Sequence, residues 1–362
     1  MQTLLPYLRL LLRCIFVLGL AATGCLRRAR RRLRESGATI ILTFHRVLDD
    51  SSYHETNSLT GILIRLTTFR EMARYLSRHC ELVGLADAVS NSKSEKVRIA
   101  CTFDDGWVDN YTTAFPVIRD FNLPVTIFIC PGLLGQSMPF WPERAVALLG
   151  KKSRYTSSQI EEEVEKLKTL TPGQRECAIE ELERANNPSK VKSSSVDRTF
   201  SWGEVREMDR AGVCFGSHTN THQILTTIPE DQCRDELFRS KQILEQVLAK
   251  PCSMFAYPNG NWSPTIRQAV ADAGFTVAVT TERRACTSVS DPLTLSRVNV
   301  CESNVVGLTG RFSPAMFEYT TLWKAWRTTA RERRFNANVL RGRPGLAQQA
   351  ARTQDSYSAP AH

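Results

Sequence analysis

In the stretch IACTFDDGW, Asp104 and Asp105 stand side by side at the end of an apolar run. Adjacent carboxylates repel each other unless something positive sits with them. Further along, HTNTH places His218 and His222 four residues apart, a spacing that on a helical turn puts both imidazoles on one face. Either feature alone is ordinary, since Asp-Gly commonly opens a turn and histidine pairs occur at loop starts. Together, two imidazoles and one carboxylate make a three-ligand set with positions left for water and substrate. That set suits zinc or another divalent transition metal. The second aspartate then has work to do: the cation keeps both acids ionised, and the acid that does not bind it can take a proton from water.

Such a cluster needs a scaffold that brings distant residues to one face. Strand-like runs TIILTF (39–44), VRIACTF (97–103), PVTIFIC (124–130), VCFGS (213–217), CSMFAY (252–257) and FTVAV (275–279) alternate with helix-like segments at 67–79, 112–121, 202–212, 230–248 and 264–273, and a short strand follows near LTLSRVNV. Repeated alternation predicts a parallel sheet covered by helices, and this many units favour a (β/α) barrel. In such a barrel the C-terminal strand ends share one face, so His45, Asp104, Asp105, His218, His222 and residues 257–260 would meet there. A charged insertion over roughly 140–200 reads as two solvated helices broken near Pro172. Trp141 and Trp202 are candidates to flank a sugar groove or simply to fill core.

These residues also carry a family resemblance. TFDDG, SHTNTH and FAYPNG, in this order, resemble the polysaccharide deacetylase (NodB-homology, carbohydrate esterase family 4) pattern, as do LTFHRV, FSWGEVREM, DAGF and LSRVNV, over about residues 39–300. The resemblance implies a deformed (β/α) barrel and metal-dependent removal of acetyl groups from N-acetylated sugars. Carried over, Asp104 corresponds to the general base, Asp105, His218 and His222 to the metal ligands, and a main-chain N–H near Asn259 to the oxyanion donor. Two departures stand out. Many members have an arginine in the third motif, where Ala256 stands here, and a late Leu-x-His that supplies the general acid. No histidine lies between His222 and the C-terminal residue. His45 is the available acid, similar to the early-strand histidine of the biofilm-polysaccharide branch, and Arg297 in LSRVNV is available to orient the base.

Charge is unevenly placed. Residues 1–34 hold eight arginines and no acid, and residues 311–362 hold nine Lys/Arg against three acids, so the net +10 leaves the middle of the chain at −4. Basic ends suit an anionic membrane surface better than nucleic acid. CIFVLGLAATGCL, Cys14 to Leu26, is uncharged but shorter than the roughly 20 residues a bilayer span needs. With RRARRRLR directly behind it, the segment reads as an interfacial or re-entrant anchor on the cytoplasmic face of the inner membrane, with export to the periplasm as the alternative. Eleven scattered cysteines without a CxxC argue against a disulfide framework. The expected organisation is a membrane-associating segment 1–35, a catalytic domain 36–310 and a basic, partly disordered tail 311–362.

The expected activity is a hydrolase that releases acetate from N-acetylhexosamine residues of a polysaccharide or its lipid-linked precursor, as in exopolysaccharide biosynthesis. Its partners would be the N-acetylated glycan or lipid-linked sugar and the membrane, not nucleic acid. The alternatives are deacetylation or deformylation of a lipid-linked sugar intermediate, and a non-catalytic glycan-binding module, which the missing third-motif arginine leaves open.

Overall fold

A computed structural model describes residues 4–90, 94–137, 140–150, 155–186 and 196–331. Two helices, α1 (Leu4–Ala22) and α2 (Cys25–Glu35), precede strands β1 (Thr39–Phe44) and β2 (Arg46–Leu48) and helix α3 (Asp50–Glu55). Then come β3 (Leu63–Arg65), α4 (Leu66–His79), β4 (Cys80–Leu82), β5 (Val97–Phe103), α5 (Phe115–Asp120) and β6 (Val125–Ile129). The insertion supplies α6 (Trp141–Gly150), α7 (Ser157–Lys168) and α8 (Pro172–Asn186). The barrel resumes with α9 (Trp202–Arg210), β7 (Cys214–Ser217), α10 (Glu230–Leu248), β8 (Met254–Ala256), α11 (Pro264–Asp272), β9 (Val277–Val279) and β10 (Arg297–Asn299). Short helices α12 (Glu302–Val305) and α13 (Pro314–Phe317) follow.

The strands run in the order β10-β1-β5-β6-β7-β8-β9, all parallel, with β4 beside the first half of β5. The remaining gap is bridged where Thr280 N–H donates to Leu295 O and Leu295 N–H to Ala278 O, both near 2.9 Å. The result is a nearly closed (β/α) barrel, as the alternation predicts. Strand residues are buried on both faces, which is why the sequence shows continuous apolar runs rather than alternation. Ile40, Leu42 and Phe44 of β1 face the helices, while Ile41 joins Ala100, Phe128, Ala256 and Val279 inside the barrel.

The two helices expected on either side of Pro172 are α7 and α8, with α6 preceding them. They are not simply solvated, however: Ala145, Leu148, Val164, Leu167 and Ile179 form their own buried core. The charged residues of the insertion do face water, paired at helical spacing as Lys166–Glu163 and Arg184–Glu180. The packed unit also reaches beyond 36–310. Leu33 of α2, Phe317 of α13, and Leu322 and Ala325 beyond it lie in the same core as the strands. The tail expectation for residues beyond 331 falls outside the described residues.

Helix α1 leaves α2 at 65°, and among the described residues no single helix is long and apolar enough to cross a membrane. Cys14 and Val17 bury one side of α1 against Leu26 and Met316. Arg13 donates to Ser303 O, Asn304 O and Thr320 Oγ1 at 3.0–3.1 Å. The rest of its surface exposes Tyr7, Leu8, Leu12, Ile15, Phe16 and Leu18. The eleven cysteines are all free thiols.

Candidate active site

Each strand end delivers one piece of the site, as the barrel geometry requires. His45 follows β1, Asp104 and Asp105 follow β5, His218 follows β7, and Tyr257 and Asn259 follow β8. All of them line one cavity of about 300 Å³.

Asp104 is 2% exposed, and the Arg297 guanidinium grips it with both ends, Nη1 to Oδ1 at 2.7 Å and Nη2 to Oδ2 at 2.6 Å. Arg297 is itself fixed by Thr280 O and Thr102 Oγ1, at 3.0 and 3.1 Å. Burial opposes ionisation of Asp104, but Arg297, followed by His218, holds its carboxyl below the ordinary range. The arginine that Ala256 does not supply thus reaches the base from β10. His45 Nε2 lies 3.9 Å from Asp104 Oδ2, too far for a direct hydrogen bond but within reach of a shared substrate. Asn110 Nδ2 fixes the His45 carbonyl at 2.6 Å.

Asp105, His218 and His222 bring their ligand atoms within 4.8 Å of one another. The two Nε2 atoms stand 3.5 and 3.4 Å from Asp105 Oδ1. His218 Nδ1 lies 2.8 Å from Ala256 O, an arrangement in which Nδ1 carries the proton and leaves the Nε2 lone pair aimed at the cluster. Burial first, and His222 as well, depress His218 to about 4, so the imidazole is neutral and able to bind a cation at pH 7. Asp105 is pushed toward ionisation against its burial, chiefly by His222. Two imidazoles and one carboxylate, with His218 oriented by the Ala256 carbonyl, fit a zinc-like ion.

HTNTH is not a helical turn. Its loop converges the imidazoles by left-handed backbone at Thr219 (φ 64°) and His222 (φ 58°), with ring centroids 5.0 Å apart. Glu236 of α10 holds the loop by accepting from Thr221 N and Oγ1 at 2.8 and 2.6 Å. Asp105 (φ 74°) and Asn259 (φ 58°) are left-handed too, so four of the six such non-glycine residues among the described residues cluster here. That concentration is characteristic of functional sites, where roughly 1–3 kcal/mol of strain per residue is held by the surrounding structure. After Asp105 the turn continues with Gly106 at φ +81°, where a Cβ would stand 2.9 Å from Ile129 Cγ2. Asn259 lines the cavity, and its carbonyl accepts from Thr281 Oγ1 at 3.3 Å.

Apart from Trp141, a candidate from the sequence, the insertion contributes residues to which the sequence assigned no role. Phe140, Trp141, Pro142, Glu143, Val164 and Lys168 line the cavity. Trp141 is therefore on the cavity, whereas Trp202 packs against the main core. Both ends of the insertion are tied to Arg46, the residue after His45. Arg46 donates to Asp109 Oδ2 (2.9 Å), Asp197 Oδ1 (2.5 Å) and Ser58 Oγ (3.0 Å), and Ser58 Oγ donates to Glu143 Oε1 (2.9 Å). An acid directly after the apolar run Phe-Trp-Pro at a helix start, as in FWPER, is the available signal for Glu143.

Burial, and next the Asp105 charge, raise Glu143 from its ordinary 4.5 to about 7. The folded protein therefore keeps a proton that the unfolded chain releases, and stability falls as pH rises from 4.5 through 7. In metal-free protein, Glu143→Gln is expected to stabilise by about 2 kcal/mol at pH 8 and by little at pH 4.5. Urea unfolding at the two pH values checks this; an equal effect at both would refute it.

Residues 91–278 match the family described as polysaccharide deacetylase, and the chain belongs to that family. It is 24% identical over 207 residues to the Bacillus subtilis protein YxkH, whose name places it among the polysaccharide deacetylases. The match covers 57% of this chain and 52% of that protein, so the chain spans about half the length of the curated relative it matches. The Streptococcus pyogenes deacetylase PplD, solved with acetate, superposes with a TM-score of 0.53 at 17% identity, covering 78% of this chain and 98% of that one. IcaB from Ammonifex degensii superposes at 0.51 and 18% identity, covering 80% and 97%. At these identities the likenesses show a shared fold.

Proposed function

We propose that the protein is a metal-dependent hydrolase that removes N-acetyl groups from N-acetylhexosamine residues of a glycan or its lipid-linked precursor. The observation that carries this reading is the buried Arg297–Asp104 fork set beside the Asp105–His218–His222 cluster in one cavity. Asp105, His218 and His222 would hold a zinc-like ion. When bound, the ion supplies Lewis-acid polarisation of the acetamide carbonyl and acidifies a water. Asp104, kept ionised by Arg297, accepts the proton of the attacking water at Oδ2, the oxygen nearer His45. The backbone at Asn259 donates to the developing oxyanion. His45 delivers a proton to the departing amine, so that acetate and an amino sugar leave. The apolar wall of Leu59, Ile62, Trp141 and Val164 supports a sugar ring stacked in the cleft.

The exposed apolar side of α1 and the arginines of α2 support attachment to an anionic membrane on its cytoplasmic side, and with it a lipid-linked substrate.

Acetate release from N-acetylglucosamine oligomers and from a lipid-linked N-acetyl sugar tests the reading on the full chain. Turnover is expected with zinc and should vanish on chelation. His45→Ala is expected to lose about a hundredfold in kcat, the lower range for one proton-transfer group. Zinc-bound protein that releases acetate from neither substrate would overturn the assignment.

A further inference from the structure

A second cavity, of about 460 Å³, lies outside the catalytic cleft and is lined by Arg283, Lys324, Arg327 and Arg331 around Trp323. Glu282, the acid on its wall, is engaged by Arg284. Among the described residues no carboxylate forms an ion pair with Arg283, Lys324, Arg327 or Arg331. Lys324 is half-buried, and burial first, then the nearby charges of Arg283 and Arg13, depress its ammonium. Arg327 lies over the Trp323 ring at 4.5 Å and Lys324 over Tyr319 at 4.7 Å. Aromatic faces carry no full negative charge, however, so the excess of cations over the one acid favours an anion in the cluster. Guanidinium forks beside an ammonium match the tetrahedral oxyanion of a phosphate.

The surroundings indicate where that phosphate comes from. Trp323 and Tyr319 meet Phe16 of α1 edge-on, with centroids 6.5 and 5.8 Å apart. Phe16 belongs to the exposed row that includes Leu8, Leu12 and Ile15. A helix apolar on its outer side as well as its buried side needs a non-aqueous neighbour. Aromatic rings between apolar and cationic surface are the usual arrangement at a lipid–water boundary. The loop that lines the basic pocket with Glu282–Arg284 begins at Thr281, which lines the catalytic cavity. Three residues span at most roughly 10 Å, so the two cavities are close neighbours.

We propose that this pocket binds the phosphate of anionic phospholipid headgroups, seating the outer row of α1 in the bilayer and setting the catalytic cavity beside the membrane surface. The proposal deepens the membrane reading above and rests on it, but not on the deacetylase assignment.

The test is flotation of the full-length protein with phosphatidylcholine vesicles, with and without phosphatidylglycerol. The comparison is Lys324→Gln/Arg327→Gln, with thermal unfolding as the check that the variant is folded. Wild type is expected to prefer the anionic vesicles, and the variant to bind them about thirtyfold more weakly, the effect of two juxtamembrane charges. Its acetate release from a water-soluble oligomer should be unchanged. Equal binding of variant and wild type to anionic vesicles would overturn the pocket assignment while leaving membrane attachment intact. Binding to neither vesicle would overturn both. Calorimetric titration with inorganic phosphate separates the sources: tight binding of free phosphate without vesicle preference would make this a small-anion site and refute the headgroup proposal.

Discussion

Asp104→Asn is expected to lower kcat by about a thousandfold, within the range a positioned general base supplies, while KM and zinc content stay within a few-fold of wild type. The substitution keeps the shape of the side chain and removes its ability to take a proton at neutral pH. Asp104 is not among the three residues whose ligand atoms converge, so the metal set of Asp105, His218 and His222 should stay intact. The cost to the fold is local. Both Asp104 oxygens accept from Arg297, and an amide nitrogen would face one guanidinium N–H without bonding to it. Acetate-release kinetics with metal content measured by mass spectrometry decide the matter. A loss below tenfold would remove Asp104 from the base role, and a zinc-free variant would place it among the ligands instead.

The motif residues and their convergence were legible because strand ends in a parallel barrel share one rim, so TFDDG, HTNTH and YPNG had to meet. Their local geometry was not. HTNTH suggests a helical turn, yet Thr219 and His222 adopt left-handed backbone in a loop that Glu236 of α10, fifteen residues beyond Thr221, ties down at Thr221. Long-range hydrogen bonds of this kind leave no periodic trace. Arg297 was a candidate on the strength of its motif, but its bidentate grip on Asp104 depends on β10 pairing with β1, a closure that links residues far apart in sequence. The insertion was the largest gap. Its charged stripe hides Val164 and Leu167, and its contribution of Glu143 to the cavity follows from Arg46 holding both of its ends. Arg46 sat unassigned beside His45 because a buried ion cluster is a property of the assembled fold, with partners at 58, 109 and 197.

Arg297→Leu should show how much the site depends on that fork. Removing the guanidinium leaves the buried Asp104 without its ion-pair partner, and leaves Thr280 O without its Arg297 donor. Breaking a buried pair in this way costs about 3–5 kcal/mol at neutral pH. The pH dependence identifies the cause. In wild type Asp104 lies below its ordinary 3.8, so its contribution is present above that value and lost as pH falls. Without Arg297, burial pushes the carboxyl up instead. The variant then loses stability as pH rises, because the folded state holds a proton the unfolded chain releases. The penalty measured by urea unfolding should therefore be larger at pH 7.5 than at pH 4. The same shift moves the acid limb of kcat/KM upward, and activity at pH 7 should fall by at least about a hundredfold as the base is protonated and misaligned. Arg297→Lys should recover part of the stability but less of the rate, since it restores a charge and not the planar fork. In an Asp104→Asn background, Arg297→Leu should cost markedly less stability, the coupling expected of a direct pair. A pH-independent penalty with an unmoved acid limb would mean that Arg297 only fills the barrel, and that the electrostatic environment of the base comes from the histidines.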